Sequence, residues 1–186
     1  MANKPNVFLI GAAKCGTTSL YRVFEESAGI EVSSKGELHH FSAQELVRSA
    51  NGPGDQLIEK NVIFDREEYL SSFDEAQARI IVDSSPSYFR NANAVKRIFE
   101  FDPKAKIILC LRNPADKVFS QWLHLTDEGR ENQPFDIAYA LSETRQKLGW
   151  SAMYDYRAGG LYAPHLKVWL EHFHENVFVI LFEDLV

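Results

Sequence analysis

The sequence predicts an α/β fold, a three-layer α/β/α arrangement around a roughly five-stranded parallel sheet, and three observations carry that reading. Short apolar runs bounded by polar residues alternate with longer segments of helical period, the pattern of a parallel sheet covered on both faces. A Gly-x-x-x-x-Gly stretch joins the first apolar run to the first helical segment. The 186 residues, 45% hydrophobic and 25% charged, suffice for one sizeable core and are too few for two, so 1–186 reads as a single domain.

The expected strands are Val7 to Ile10, Ile30 to Val32, Ile80 to Val82, Lys106 to Leu111 and Val177 to Phe182. Between the first two, Leu20, Val23 and Phe24 share a helical face, and Gly29 is placed to end that helix. Asp65 with Glu68 three residues on predicts a helix start leading into Tyr69, Leu70 and Phe73. Val95, Ile98 and Phe99 mark another apolar face, stopped before Pro103. After the fourth strand, Asn113 predicts a cap for a helix with Pro114 at its first position and Asp116 in its first turn. Its expected buried side is Val118, Phe119, Trp122 and Leu123. A polar loop from Asp127 to Gln133 precedes helical patterns near 135–148 and 161–173, and the stretch 43–61, with Asn51-Gly52-Pro53-Gly54, reads as a mobile loop. Nothing in the sequence terminates this architecture at Val186, so a further C-terminal portion is expected.

Composition excludes several function classes. A net charge of −6 argues against a broad nucleic-acid-binding surface and against a long polyanionic substrate, so any phosphate must be held by local groups. The two cysteines, Cys15 and Cys110, suggest neither a disulfide framework nor a zinc site. The four apolar residues before Gly11 are too few for a signal peptide and no later stretch would span a bilayer, so a cytoplasmic protein without a membrane partner is expected.

Gly11-Ala12-Ala13-Lys14-Cys15-Gly16-Thr17-Thr18 is the most informative segment. Its glycines allow a tight turn whose amides converge on an anion, at the positive end of the helix that follows, as in a P-loop nucleotide-binding fold. A triphosphate-binding loop carries Lys directly after the second glycine, whereas here Thr17 holds that place and Lys14 comes three residues earlier. The loop therefore suits a nucleotide with a single 5′-phosphate.

Four segments, in order, resemble the sulfotransferases that use 3′-phosphoadenosine 5′-phosphosulfate (PAPS), in particular their bacterial and heparan-sulfate-type branch. Lys14-Cys15-Gly16-Thr17-Thr18-Ser19-Leu20 resembles the 5′-phosphosulfate loop, and Lys35-Gly36-Glu37-Leu38-His39-His40-Phe41 the stretch with the catalytic carboxylate. Asp83-Ser84-Ser85-Pro86-Ser87-Tyr88-Phe89 is similar to the branch's Glu-Lys-Thr-Pro-x-Tyr-Phe segment, and Leu111-Arg112-Asn113-Pro114-Ala115-Asp116-Lys117-Val118-Phe119-Ser120 to its 3′-phosphate motif. Gly160-Leu161-Tyr162-Ala163, Trp169 and Glu183-Asp184-Leu185 are weaker echoes.

The resemblance implies PAPS as co-substrate, adenosine 3′,5′-bisphosphate (PAP) as product and no metal. It places the 5′-phosphate on Lys14, Cys15, Gly16, Thr17, Thr18 and Ser19, with Lys14 meeting the bridging oxygen as charge builds there. It places the 3′-phosphate on Arg112, whose guanidinium fork suits a phosphate monoester, and on Ser120. Glu37 is the candidate general base, since a hydroxyl is a poor nucleophile until its proton is removed. His39, two residues on, would in an extended segment face the same side and orient the acceptor or share the proton. The implied acceptor is a hydroxyl or amine of a carbohydrate or small molecule.

Plainer readings stand beside these: Lys14 as an exposed loop lysine, Arg112 paired with Asp116, Glu37 and His39 in a solvated turn. Two departures from the branch stand out, Ser84 where it carries Lys and Gly36 inside its Lys-Glu pair; its late basic, Gly-rich loop would lie beyond Val186. Asp83, after Ile80-Ile81-Val82, also fits an Mg²⁺-holding strand end in a P-loop kinase using ATP, and a non-catalytic nucleotide-binding remnant is a third reading. Trp122, Trp150, Trp169, Tyr154, Tyr156 and Tyr162 suit carbohydrate stacking or core packing alike.

Overall fold

The computed structural model describes residues 3–74 and 76–185. Five parallel strands, β1 (Val7–Gly11), β2 (Ile30–Val32), β3 (Ile80–Ser84), β4 (Lys106–Leu111) and β5 (Val177–Leu181), form one sheet in the order β2-β3-β1-β4-β5. All five expected strands are present; β1 and β3 run on to Gly11 and Ser84, and β5 stops one residue early.

The helices are α1 (Thr17–Glu26), α2 (Ala43–Arg48), α3 (Arg66–Ser71), α4 (Ala92–Phe101), α5 (Pro114–Asp127), α6 (Phe135–Ala140), α7 (Ser142–Lys147), α8 (Tyr156–Gly159) and α9 (Ala163–Phe173). From β1 the chain travels toward the β2 edge, whereas from β3 it travels toward the β5 edge. Right-handed crossovers then put α1 and α4 on opposite faces of the sheet. This reversal makes the carboxyl end of β1 the switch point, where open α/β sheets leave a ligand crevice. Its neighbour β4 is paired with it from Val7↔Lys106 to Gly11↔Leu109, so the loop after β1 and Arg112 after β4 emerge side by side.

The core follows from the apolar runs. Phe8, Leu9 and Ile10 of β1 and Ile107, Leu109 and Cys110 of β4 are fully buried, with Val95 and Ile98 of α4 and Trp169 and Phe173 of α9 packed into the same cluster. Trp169, Tyr154 and Tyr156 belong to the interior, which decides the aromatic question for them. Helix starts obey local chemistry. Asp65 accepts from Glu68 N, and Asn113 accepts from Ala115 N with Pro114 following.

Three expectations need correction. The stretch 43–61 is not a bare loop: it holds α2 and a 3-10 helix, Asp55–Asn61. Asp55 anchors it, accepting from Gly52 N (2.8 Å), Ser151 N (2.9 Å) and Arg130 Nη2 (2.6 Å). The pattern over 135–148 is broken at Leu141 into α6 and α7. The buried side of α5 is Lys117, Val118, Gln121 and Leu125, while Phe119 and Leu123 are exposed. The helix packs against α8 and turns a lysine and a glutamine inward.

Candidate functional site

A cavity of about 590 Å³ opens at the carboxyl ends of β1 and β4. Lys14, Gly16, Thr17, Thr18, Glu37, His39, Arg112 and Ser120 all line it. Cys15 and Ser19 do not. Cys15 points into the core with Sγ 3.7 Å from Tyr162 Oη, and burial pushes its thiol pKa up, so it stays protonated; Ser19 is exposed on α1.

The loop 11–16 gets its shape from two close approaches. At Gly11 (φ 137°) an added Cβ would lie 2.8 Å from the Pro86 carbonyl oxygen, and at Gly16 (φ 86°) 2.8 Å from Phe182 Cδ2. Only glycine satisfies both the positive φ and the space. The first-turn amides of α1 have no intrahelical acceptors, so they and the helix dipole face an anion at this end. Lys14 sits at positive φ (67°) and forms no ion pair among the described residues.

Arg112 is held from behind. Its guanidinium carbon lies 4.4 Å from the Phe182 ring centroid, and its carbonyl accepts from Tyr162 Oη (3.0 Å). Glu183 Oε1 accepts from Asn113 N next door (2.9 Å). The weakly matching segments near 162 and 183 thus brace Arg112. It makes no pair with Asp116 among the described residues, which leaves its fork free for an anion.

Glu37 and His39 meet, but not through an extended strand. His39 has φ 52°, buried Leu38 separates the two, and His39 Nε2 lies 3.1 Å from Glu37 Oε2. Hydroxyls fix the ring. Ser42 Oγ donates to the His39 carbonyl (3.2 Å), which leaves Ser87 to donate to Ser42 (2.7 Å) and His39 Nδ1–H to donate to Ser87 (2.8 Å). Nε2 is thereby turned toward the Glu37 carboxylate. Lys35, by contrast, is an exposed residue 3.5 Å from Glu68 and does not line the cavity.

Beneath this pair lies Asp83, fully buried. It accepts from Ser85 Oγ (2.7 Å), Tyr69 Oη (2.9 Å) and Tyr88 Oη (2.8 Å), and Ser85 Oγ in turn accepts from His39 N (3.0 Å). Burial raises its pKa, and the three hydroxyls oppose that shift. Both oxygens are occupied within the interior, so the Mg²⁺-holding role left open by the sequence fails for Asp83. Asp83→Asn should cost about 1–3 kcal/mol, because it leaves a hydroxyl donor unmatched. Calorimetric melting should show this as a fall of roughly 3–10 °C; an unchanged melting temperature would contradict the hub role.

The sequence reading assigned no role to Lys117, although its motif included it. It is 2% exposed, lines the cavity and is hydrogen-bonded to Gln121 Oε1. It forms no ion pair among the described residues. Burial, reinforced by the nearby positive charge of Arg90, lowers its pKa to about 8. An ammonium so placed calls for an anion. The signal in the sequence was a lysine on the α5 face that also carries Val118 and Gln121.

Among the described residues, no group of three or more His, Cys, Asp or Glu is arranged to hold a metal ion, and no helix is long and apolar enough to cross a membrane.

Comparisons with known proteins bear on the family and the fold. The crystal structure of a sulfotransferase from Alicyclobacillus acidocaldarius matches with a TM-score of 0.94 at 37% identity, over 98% of this chain and 74% of that one. The bifunctional heparan sulfate N-deacetylase/N-sulfotransferase 1 of Xenopus laevis is 27% identical over 194 residues, 95% of this chain and 20% of that protein. Mouse heparan sulfate glucosamine 3-O-sulfotransferase 5 is 22% identical over 181 residues, 97% and 48% respectively. The chain thus spans about a fifth to a half of the length of these curated relatives. The profile of the Sulfotransferase family matches residues 5–186. On the matched profile, and on a fold that sets the loop of Lys14 beside Arg112, this chain belongs to the sulfotransferase family.

Proposed function

We propose that the protein transfers the sulfuryl group of PAPS to a hydroxyl or amine of a small molecule or carbohydrate. The observation that carries the reading is one cavity with two separate anion holders, the 11–18 loop and Arg112, on adjacent strands. A donor with a phosphosulfate at one end and a 3′-phosphate at the other needs that division; a triphosphate concentrates its charge at one place.

Backbone amides of the loop, with the Thr17 and Thr18 hydroxyls, hold the 5′-phosphate, and Arg112 with Ser120 holds the 3′-phosphate. Glu37 removes the acceptor proton as the acceptor oxygen bonds to sulfur in line. The bond from sulfur to the bridging oxygen breaks, its electron pair stays on the 5′-phosphate of PAP, and Lys14 stabilises the charge that gathers there. His39, its ring fixed through Ser87 and Ser42, keeps the Glu37 carboxylate aimed into the cavity. No covalent enzyme intermediate and no metal enters this scheme.

Titration calorimetry with PAP tests the donor site. Arg112→Met should weaken PAP binding by about 10- to 100-fold, the worth of a charge-assisted fork. The same substitution should leave adenosine 5′-phosphate binding nearly unchanged. An equal loss for both ligands would refute the 3′-phosphate assignment.

Lys117 adds a prediction about protons. An anion beside this ammonium favours its charged form, so donor binding should raise its pKa from about 8 and take up protons between about pH 8 and 9. Calorimetry in buffers of different ionisation enthalpy measures that uptake. Lys117→Met should abolish it and weaken PAP about tenfold, while the apoprotein melts no lower, since a buried cation has been removed. Uptake that persists in the variant would place the titrating group elsewhere.

A further inference from the structure

We infer that the acceptor is an uncharged, largely apolar alcohol or phenol, seated in the part of the cavity walled by α2, the 3-10 helix Asp55–Asn61 and residues 151–153. The inference rests on the sulfuryl-transfer reading above and names its acceptor class.

The segment Pro86–Arg90 orders the cavity. Its Pro86 and Phe89 abut Gly11 of the phosphate loop, and Ser87 holds the His39 ring. Arg90 then bonds the Ala152 carbonyl (3.2 Å) and Asp155 (2.6 Å). Glu37 and His39 line the same cavity as this segment, so an acceptor seated there shares the space of the carboxylate that takes its proton.

The wall formed by α2, the 3-10 helix Asp55–Asn61 and residues 151–153 carries Leu46, Ile58 and Met153. Its two cations are already matched: Arg90 with Asp155, and Arg130 with Asp55 at 2.6 Å and Glu128 at 3.2 Å. Asp155 and Asp55 are 3% and 0% exposed, so releasing either arginine to a ligand would strand a buried carboxylate. Among the described residues, the unpaired cations in the cavity are Lys14, Arg112 and Lys117, those assigned to the donor. With both arginines matched, a carboxylate or sulfate placed against this wall gains no free cation and meets the charge of Asp55 and Asp155, whereas a neutral alcohol does not. The net charge of −6 opposes a polyanionic chain at longer range.

The test uses the full chain with PAPS and three acceptors: 2-naphthol, its carboxylated counterpart 6-hydroxy-2-naphthoate, and an N-desulfated heparan oligosaccharide. We expect kcat/KM for 2-naphthol to exceed the other two by about tenfold or more. Ile58→Lys, which adds an unmatched cation to the wall, should narrow the naphthol-to-naphthoate ratio by about tenfold while PAP still binds. The inference is overturned if the naphthoate or the glycan is the better acceptor, or if a protein that binds PAP sulfates no neutral alcohol. An unchanged ratio in a folded Ile58→Lys variant overturns the placement. Absence of PAP binding in the unaltered chain overturns the parent reading instead, and this one with it.

Discussion

Replacing Glu37 by Gln lowers kcat by about 10²- to 10⁴-fold, the range expected for loss of a positioned general base. Gln keeps the size of the side chain and can still reach His39, but it accepts no proton from the acceptor. Because Glu37 is half exposed and outside the core, the protein should fold and melt as before. PAP affinity should also hold, since Glu37 touches neither phosphate holder. The effect therefore belongs in kcat. Steady-state kinetics with the best acceptor, beside calorimetry with PAP, separates the possibilities. A variant with near-normal kcat would remove Glu37 from the chemistry. His39→Gln should cost less, since it loosens the carboxylate without deleting it, and a greater loss there than in Glu37→Gln would move the base to the imidazole.

The second large effect is at Lys14. Its methionine variant should lose about 10²- to 10³-fold in kcat, the worth of one preorganised charge aimed at a developing oxyanion. The charge on the bridging oxygen appears only as the bond to sulfur breaks. PAPS binding in the ground state should accordingly weaken much less than kcat falls. If Lys14→Met instead raises KM for PAPS with kcat intact, the lysine binds uniformly and does no more.

The sheet was legible in the sequence because each buried parallel strand reads as a short run of apolar residues, and all five runs became strands. Helix starts were legible where a local rule decides them, at Asp65 and Asn113. The chain between α1 and β3 was harder. What orders residues 43–61 is Asp55, tied to Arg130 and Ser151, which lie far along the chain. No local pattern reports a long-range anchor. The same holds for α5, where a period count favours Phe119 and Leu123 for the interior. The neighbouring α8 and the cavity wall instead take Lys117 and Gln121 inward, a tertiary choice that overrides hydropathy. Of the residues that line the cavity, Gly16, Lys14, Glu37, His39, Arg112 and Ser120 were readable from motif order. Their supports were not: Phe182 under Arg112, Tyr162 on its carbonyl and the hydroxyl chain through Ser42 and Ser87 depend on residues brought together only by folding.

The two proposed anion holders are rooted in adjacent central strands, β1 and β4, whereas another wall of the cavity is made of short helices and connecting segments stapled by Asp55 and Asp155. Two independent mechanical supports follow from that division. On the proposed function, changes confined to 43–61 or 151–153 that keep both aspartates should alter acceptor choice while PAP binding holds. Acceptor preference is thus the part of this scaffold most open to re-engineering.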